Sequence, residues 1–109
     1  MYVFPPIKTP RQARIGFYSV GHPHYWDQFA GLLDRLVAYG KFIEHRLSDW
    51  GETFNAGMVD REEKARRVGE WFNEKNVDLI FCHVATYAMS ASHLAIAQIT
   101  QCPIIVLNL

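Results

Sequence analysis

Apolar residues along this chain change their spacing several times, and each change marks an element. In "ARIGFYSV", Ala13 to Val20, aromatic and branched residues crowd together between Pro10 upstream and Gly21 and Pro23 downstream, which predicts a strand. From Tyr25 the apolar positions become Phe29, Leu32, Leu33, Leu36, Val37, Ile43, Leu47 and Trp50, spaced so that a helix gathers them into one stripe. A single helix over that stretch would run about 39 Å, long for a crossover, so Gly40 is the expected bend or break and Gly51 the stop.

"ETFNAGMV" reads as a short, weakly apolar strand. The following "DREEKARRVGEWFNEKN" predicts a helix with Asp60 as cap and Glu63 completing a capping box; Ala65, Val68 and Phe72 share one face, with Trp71 beside it. "VDLIFCHV" and "PIIVLNL" are near-continuous apolar runs of the kind that parallel strands show when both faces are covered. Between them "AMSASHLAIAQIT" reads as a helix whose Ala88, Ala91, Ala95 and Ala97 allow close approach to a sheet.

Four strands thus alternate with three helices, which predicts an α/β fold: a doubly wound parallel sheet, flavodoxin- or Rossmann-like. The weak second strand belongs at an edge, giving the expected order 2-1-3-4. Residues 1–12 form an N-terminal extension and 13–109 the domain. The most apolar strand runs to Leu109 with nothing after it to cover its edge, so the chain is expected to be a truncated piece of a longer protein; the alternative is a complete chain that closes the edge by dimerising.

Composition narrows the function classes. Half of the residues are apolar, enough for one domain with a core of its own. Acidic and basic residues balance, and no basic cluster extends beyond "EEKARR", which argues against nucleic acid as a partner. "MYVFPPIKTPRQAR" lacks the apolar core of a signal peptide and no run approaches the ~20 residues that span a bilayer, so a cytoplasmic protein without membrane contact is expected. Cys82 falls near the end of one predicted strand and Cys102 before the start of the next, farther apart than the ~7 Å a disulfide tolerates, and both are expected to be free thiols.

In open parallel sheets the binding crevice lies beyond the carboxyl ends of the strands. "GHPHYW" and "HVATYAMS" arrive there, bringing His22, His24, Tyr25, Trp26, His83, Thr86, Tyr87 and Ser90, with Asn108 from the fourth strand. Such a set can hydrogen-bond hydroxyls while presenting a flat face to a sugar ring. Each residue also has an ordinary reading: His24 begins a helix, Tyr25 and Trp26 are core aromatics, His83 is a satisfied histidine in a buried strand, and Thr86 is a turn residue. A Zn²⁺ site from His22, His24 and His83 has weak support, because proline interrupts the His-x-His spacing and no carboxylate is placed to complete it. Ser19 and Ser90 lie outside any Gly-x-Ser-x-Gly elbow, Cys82 is expected to be buried, and the turn at Gly21 is crowded by His22, Pro23 and His24 and followed by no Walker lysine.

The succession of "YWDQFAGLLDRL", "GMVDREEKA", "VATYAMS" and "PIIVLNL" resembles the N-terminal domain of the L-arabinose isomerase and L-fucose isomerase-like sugar isomerases, particularly their divergent arabinose-isomerase-like members, from about Ala13 to Leu109. The resemblance implies an oligomeric aldose–ketose isomerase of several hundred residues that works through an enediol with Mn²⁺. It places the metal-binding Glu and His residues in later domains, leaving this segment to contact substrate, often in a neighbouring subunit's pocket, and inactive alone. Tyr25 matches the family tyrosine, while His22 stands where a substrate-facing glutamine would be, which tells against L-arabinose itself as substrate. Thr86 and Tyr87 correspond to a Thr–aromatic pair lining the same cleft. The expected substrate-binding set is therefore His22, His24, Tyr25, Thr86, Tyr87 and Asn108, with no catalytic or metal-ligating residue; the partners are a sugar, the rest of the parent chain and further copies. The alternative is a non-catalytic flavodoxin-like module for sugar binding or oligomerisation; a third reading is a small metalloenzyme built on the histidines.

Overall fold

A computed structural model describes residues 12–86, 88 and 93–108. The strands β1 (Ala13–Val20), β2 (Gly51–Val59), β3 (Leu79–Val84) and β4 (Ile104–Leu107) form one parallel sheet in the order β2-β1-β3-β4. The expected doubly wound α/β fold and its order are what the chain adopts. β1 takes the centre because all of its residues from Ile15 to Val20 are apolar, small or internally hydrogen-bonded, and all six are buried.

Alternation along the strands assigns the two faces. Tyr18 and Val20 of β1 and Ile80 and Cys82 of β3 meet Phe72 of α3 (Glu62–Glu74) and Ile96 of α4 (Leu94–Thr100) in one continuous apolar core. Val68 and Ala65 join it, as the shared helical face requires, with Trp71 packed at the margin. Ile15, Phe17 and Ser19 point the other way, toward α2 (Leu32–Leu47). There Gly40 brings the helix backbone close to the sheet: a Cβ on it would stand 3.5 Å from Ser19 Oγ and 3.6 Å from Phe17.

The long helix expected from Tyr25 to Trp50 is divided, but not at Gly40. A short α1 (His24–Gln28) ends at Phe29, and Gly31, at φ 78°, turns the chain in the left-handed region before α2 begins. Among the described residues there are therefore four helices, not three, and Gly40 continues α2. Gly51 opens β2; a Cβ there would run into the backbone oxygen of Ala13. β2 is the expected edge strand but is nine residues long, not short. Its pairing slips between Phe17↔Asn55 and Ser19↔Met58, a bulge accommodated by Gly57 at φ 81°, whose N–H donates to Asn55 Oδ1 at 2.8 Å.

The capping box does not form either. Arg61 is the N-cap of α3, no side chain among the described residues caps the helix, and the Asp60 carboxylate is committed elsewhere, accepting from Trp26 Nε1 at 3.0 Å. In α4, Ala95 is buried whereas Ala97 is exposed, so the alanine face is narrower than expected; Ala88 packs against the core and Ala91 lies outside the described residues. Cys82 and Cys102 are free thiols, Cys82 buried and Cys102 donating to the Val77 carbonyl at 3.4 Å. Among the described residues no helix is long and apolar enough to cross a membrane.

Candidate functional site

Strand order reverses between β1 and β3, because the chain leaves β1 toward β2 on one side and returns to β3 on the other. Such a switch point is where parallel sheets open a crevice. The Val20 carbonyl accepts from both Ala85 N–H at 3.1 Å and Thr86 N–H at 3.3 Å, so the two loops start together. They stay together: the His22 N–H donates to Thr86 Oγ1 at 3.1 Å. Gly21 N–H donates to the Val59 carbonyl at 3.2 Å and draws in the end of β2 as well.

On this rim His22 lies edge-on to Tyr25, with ring centroids 6.0 Å apart at 71°, and edge-on to His24, at 6.1 Å and 85°. The backbone N–H of His24 donates to His22 Nδ1 at 3.1 Å, so neutral His22 carries its proton on Nε2. His24 Nε2 is 2.9 Å from the Gln28 amide nitrogen and accepts from it, which puts the neutral proton on Nδ1. His22 and Tyr25 are half-buried and His24 is exposed. The result is a patch of imidazole, phenol and hydroxyl groups with two aromatic edges, suited to holding a polar ligand by hydrogen bonds and ring contact.

Trp26 has the ordinary role among these aromatics. Its indole lies over Gly21, where a Cβ would come within 2.7 Å of Cη2, and the bond to Asp60 fixes it there. His83 is likewise structural. It is buried on the α2 face, its Nδ1 is 3.1 Å from Ser19 Oγ, and the Tyr39 ring abuts it edge-on at 5.3 Å. Burial pushes its pKa below the usual imidazole value and keeps it neutral.

The three histidines therefore do not converge, and among the described residues no three His, Cys, Asp or Glu side chains gather as a metal site. With His22 Nδ1 and His24 Nε2 already accepting hydrogen bonds and His83 Nδ1 against Ser19, this donor set does not fit Mn²⁺ or Zn²⁺. Asn108 follows β4 at the same sheet end and is exposed, one strand beyond Thr86. Tyr87 and Ser90 lie outside the described residues.

Below the rim, between α2 and the β2 bulge, is a half-open cavity of about 290 Å³ that the sequence pattern does not announce. Its polar groups are Ser19, Lys41, Glu44 and Asn55, with Val37 and Met58 supplying apolar wall. Lys41 and Glu44 read as solvated helix positions and Asn55 as a polar break in a weak strand. Only the crossover that lays α2 against β2 brings them together. Met58 of its wall lies beside Gly21 of the rim, where a Cβ would stand 3.1 Å from Met58 Sδ, but Gly21 is not part of the cavity lining.

Neither a protein-family model nor a curated protein matches the chain.

Proposed function

We propose that the chain is the sugar-contacting domain of an aldose–ketose isomerase of the L-arabinose and L-fucose type, with His22, His24, Tyr25 and Thr86 on the wall of the substrate cleft. Tyr87, Asn108 and the isomerase's Mn²⁺ ligands complete the reading, the ligands coming from elsewhere in the parent chain. The single observation that carries it is the His22 to Thr86 hydrogen bond at the switch point, which makes one surface of two loops.

Moving a proton between adjacent carbons needs a group that polarises the carbonyl and a carboxylate base at the carbon. The rim's carboxylate, Asp60, is taken by Trp26 and Arg61, and its other polar groups are imidazole, phenol and hydroxyl, so its work is to bind and orient hydroxyls. The exposed aliphatic residues Ile105 and Val106 on the edge strand support a domain that packs against the rest of a parent chain or other copies, and the free thiols support a reducing, cytoplasmic setting.

Titration of the isotope-labelled chain with L-fucose and L-arabinose tests the reading. Saturable shifts at the His22, Tyr25 and Thr86 amides, weakened by Tyr25→Phe, are expected, with no isomerisation when Mn²⁺ is added. Sugars that leave those amides unmoved, or turnover by the chain alone, would overturn it.

A further inference from the structure

We propose that the cavity between α2 and the β2 bulge binds a small zwitterionic metabolite, one carrying an ammonium and an anionic group a few ångströms apart, of which an α-amino acid is the simplest. This site is separate from the sugar-contacting rim and does not depend on it.

Charge placement makes the case. Lys41 and Glu44 are one helical turn apart, a spacing that sets Cβ atoms about 5–6 Å from one another and normally lets opposite charges pair. Here they do not pair. Glu44 Oε1 accepts from Asn55 Nδ2 at 2.9 Å, and among the described residues nothing pairs with the Lys41 ammonium. Asn55 is itself pinned, its Oδ1 accepting from the Gly57 N–H at 2.8 Å, so the carboxylate is held in place before any ligand arrives.

Two opposite charges on one wall select against ligands of a single sign. An anion drawn by Lys41 meets Glu44, and a cation drawn by Glu44 meets Lys41; a ligand with both charges satisfies both. Its carboxylate pairs with the Lys41 ammonium, and its ammonium donates to the second oxygen of Glu44. The Ser19 hydroxyl, oriented from behind by His83, provides a further polar contact on the floor, where Gly40 has no side chain to cover it.

Size and lining agree with that class. A volume of about 290 Å³ suits a metabolite of few heavy atoms, and Val37 and Met58 offer apolar wall for a short aliphatic side chain. A neutral sugar would gain less here, because the cavity has no aromatic face among its lining residues while the rim has Tyr25 and His22.

The test titrates the labelled full chain separately with L-alanine, propionate, propylamine and L-arabinose, following the Ser19, Lys41 and Gly57 amides. L-alanine should shift them saturably, and Lys41→Met and Glu44→Gln should each weaken its binding about tenfold or more. Glutamine keeps the acceptor for Asn55, and Lys41 is exposed, so both variants should retain the parent circular dichroism and Tm; Lys41→Glu, which reverses the charge, should abolish binding. Propionate or propylamine acting as strongly as L-alanine, L-arabinose occupying the cavity, or L-alanine leaving these amides unmoved would each overturn the proposal. Failure at these amides with sugar shifts intact at His22 and Thr86 would leave the rim reading standing, and the reverse holds.

Discussion

Ser19 and His83 are register partners on β1 and β3, and their side chains face each other with Oγ 3.1 Å from Nδ1, both buried beneath α2. The pair satisfies two almost wholly buried polar groups with one another, at the cost of holding an imidazole neutral.

That cost appears as pH dependence. Burial depresses the folded pKa of His83 relative to the unfolded value of 6.5, so between the two values the unfolded chain binds the extra proton. Stability contributed by this group is full above the unfolded pKa and falls as pH drops through it toward the folded one. Urea midpoints should decrease on acidification from pH 7, and His83→Asn, which keeps a polar atom toward Ser19 but does not titrate, should flatten the curve.

Gly21→Ala should destabilise. Its Cβ would meet the Trp26 ring at 2.7 and 2.8 Å and Met58 Sδ at 3.1 Å, and the indole is tethered to Asp60. Displacing it costs about 1–3 kcal/mol, the range for overpacking, and should break the bond to Asp60. Urea unfolding measures the loss, and the Trp26 indole N–H resonance reports the displacement.

Gly40→Ala should do the opposite. The added methyl meets Ser19 and Phe17 only at ordinary contact distance, 3.5 and 3.6 Å, and alanine is favoured over glycine in a helix interior by about 1 kcal/mol. A rise in Tm of several degrees is expected from thermal unfolding. A fall would show that the packing of α2 on Ser19 and Phe17 has no room for a methyl group.

Thr86→Val removes the acceptor for the His22 N–H while keeping the shape, with an expected loss of about 1 kcal/mol in stability. Amide exchange at His22 should accelerate, and the sugar affinity proposed for the rim should fall. Thr86→Ser should restore both.

The edge position of β2 was legible because "ETFNAGMV" is only weakly apolar, and a weak strand belongs at an edge. The break at Gly31 was hidden by the apolar stripe: Phe29, Leu32 and Leu33 continue the helical spacing across it, and periodicity does not register backbone φ. Asp60 looked like a cap because its sequence neighbours permit one, but Trp26, 34 positions away, takes its carboxylate. The meeting of His22 with Thr86 could be anticipated from the rule that loops gather at the carboxyl ends of parallel strands. The Lys41, Glu44 and Asn55 cluster could not, since charged residues on a helix carry the same signature whether they face solvent or line a cavity.

Along β4 a different hazard is written into the fold. The segment Pro103–Asn108 carries no charge, Val106 is 61% exposed, and β4 ends the sheet among the described residues. An uncharged aliphatic flank with open amide and carbonyl groups can seed fibrils, adding strand upon strand. Purified chain at high concentration should therefore bind thioflavin after a lag, and a lysine at Val106 should lengthen that lag.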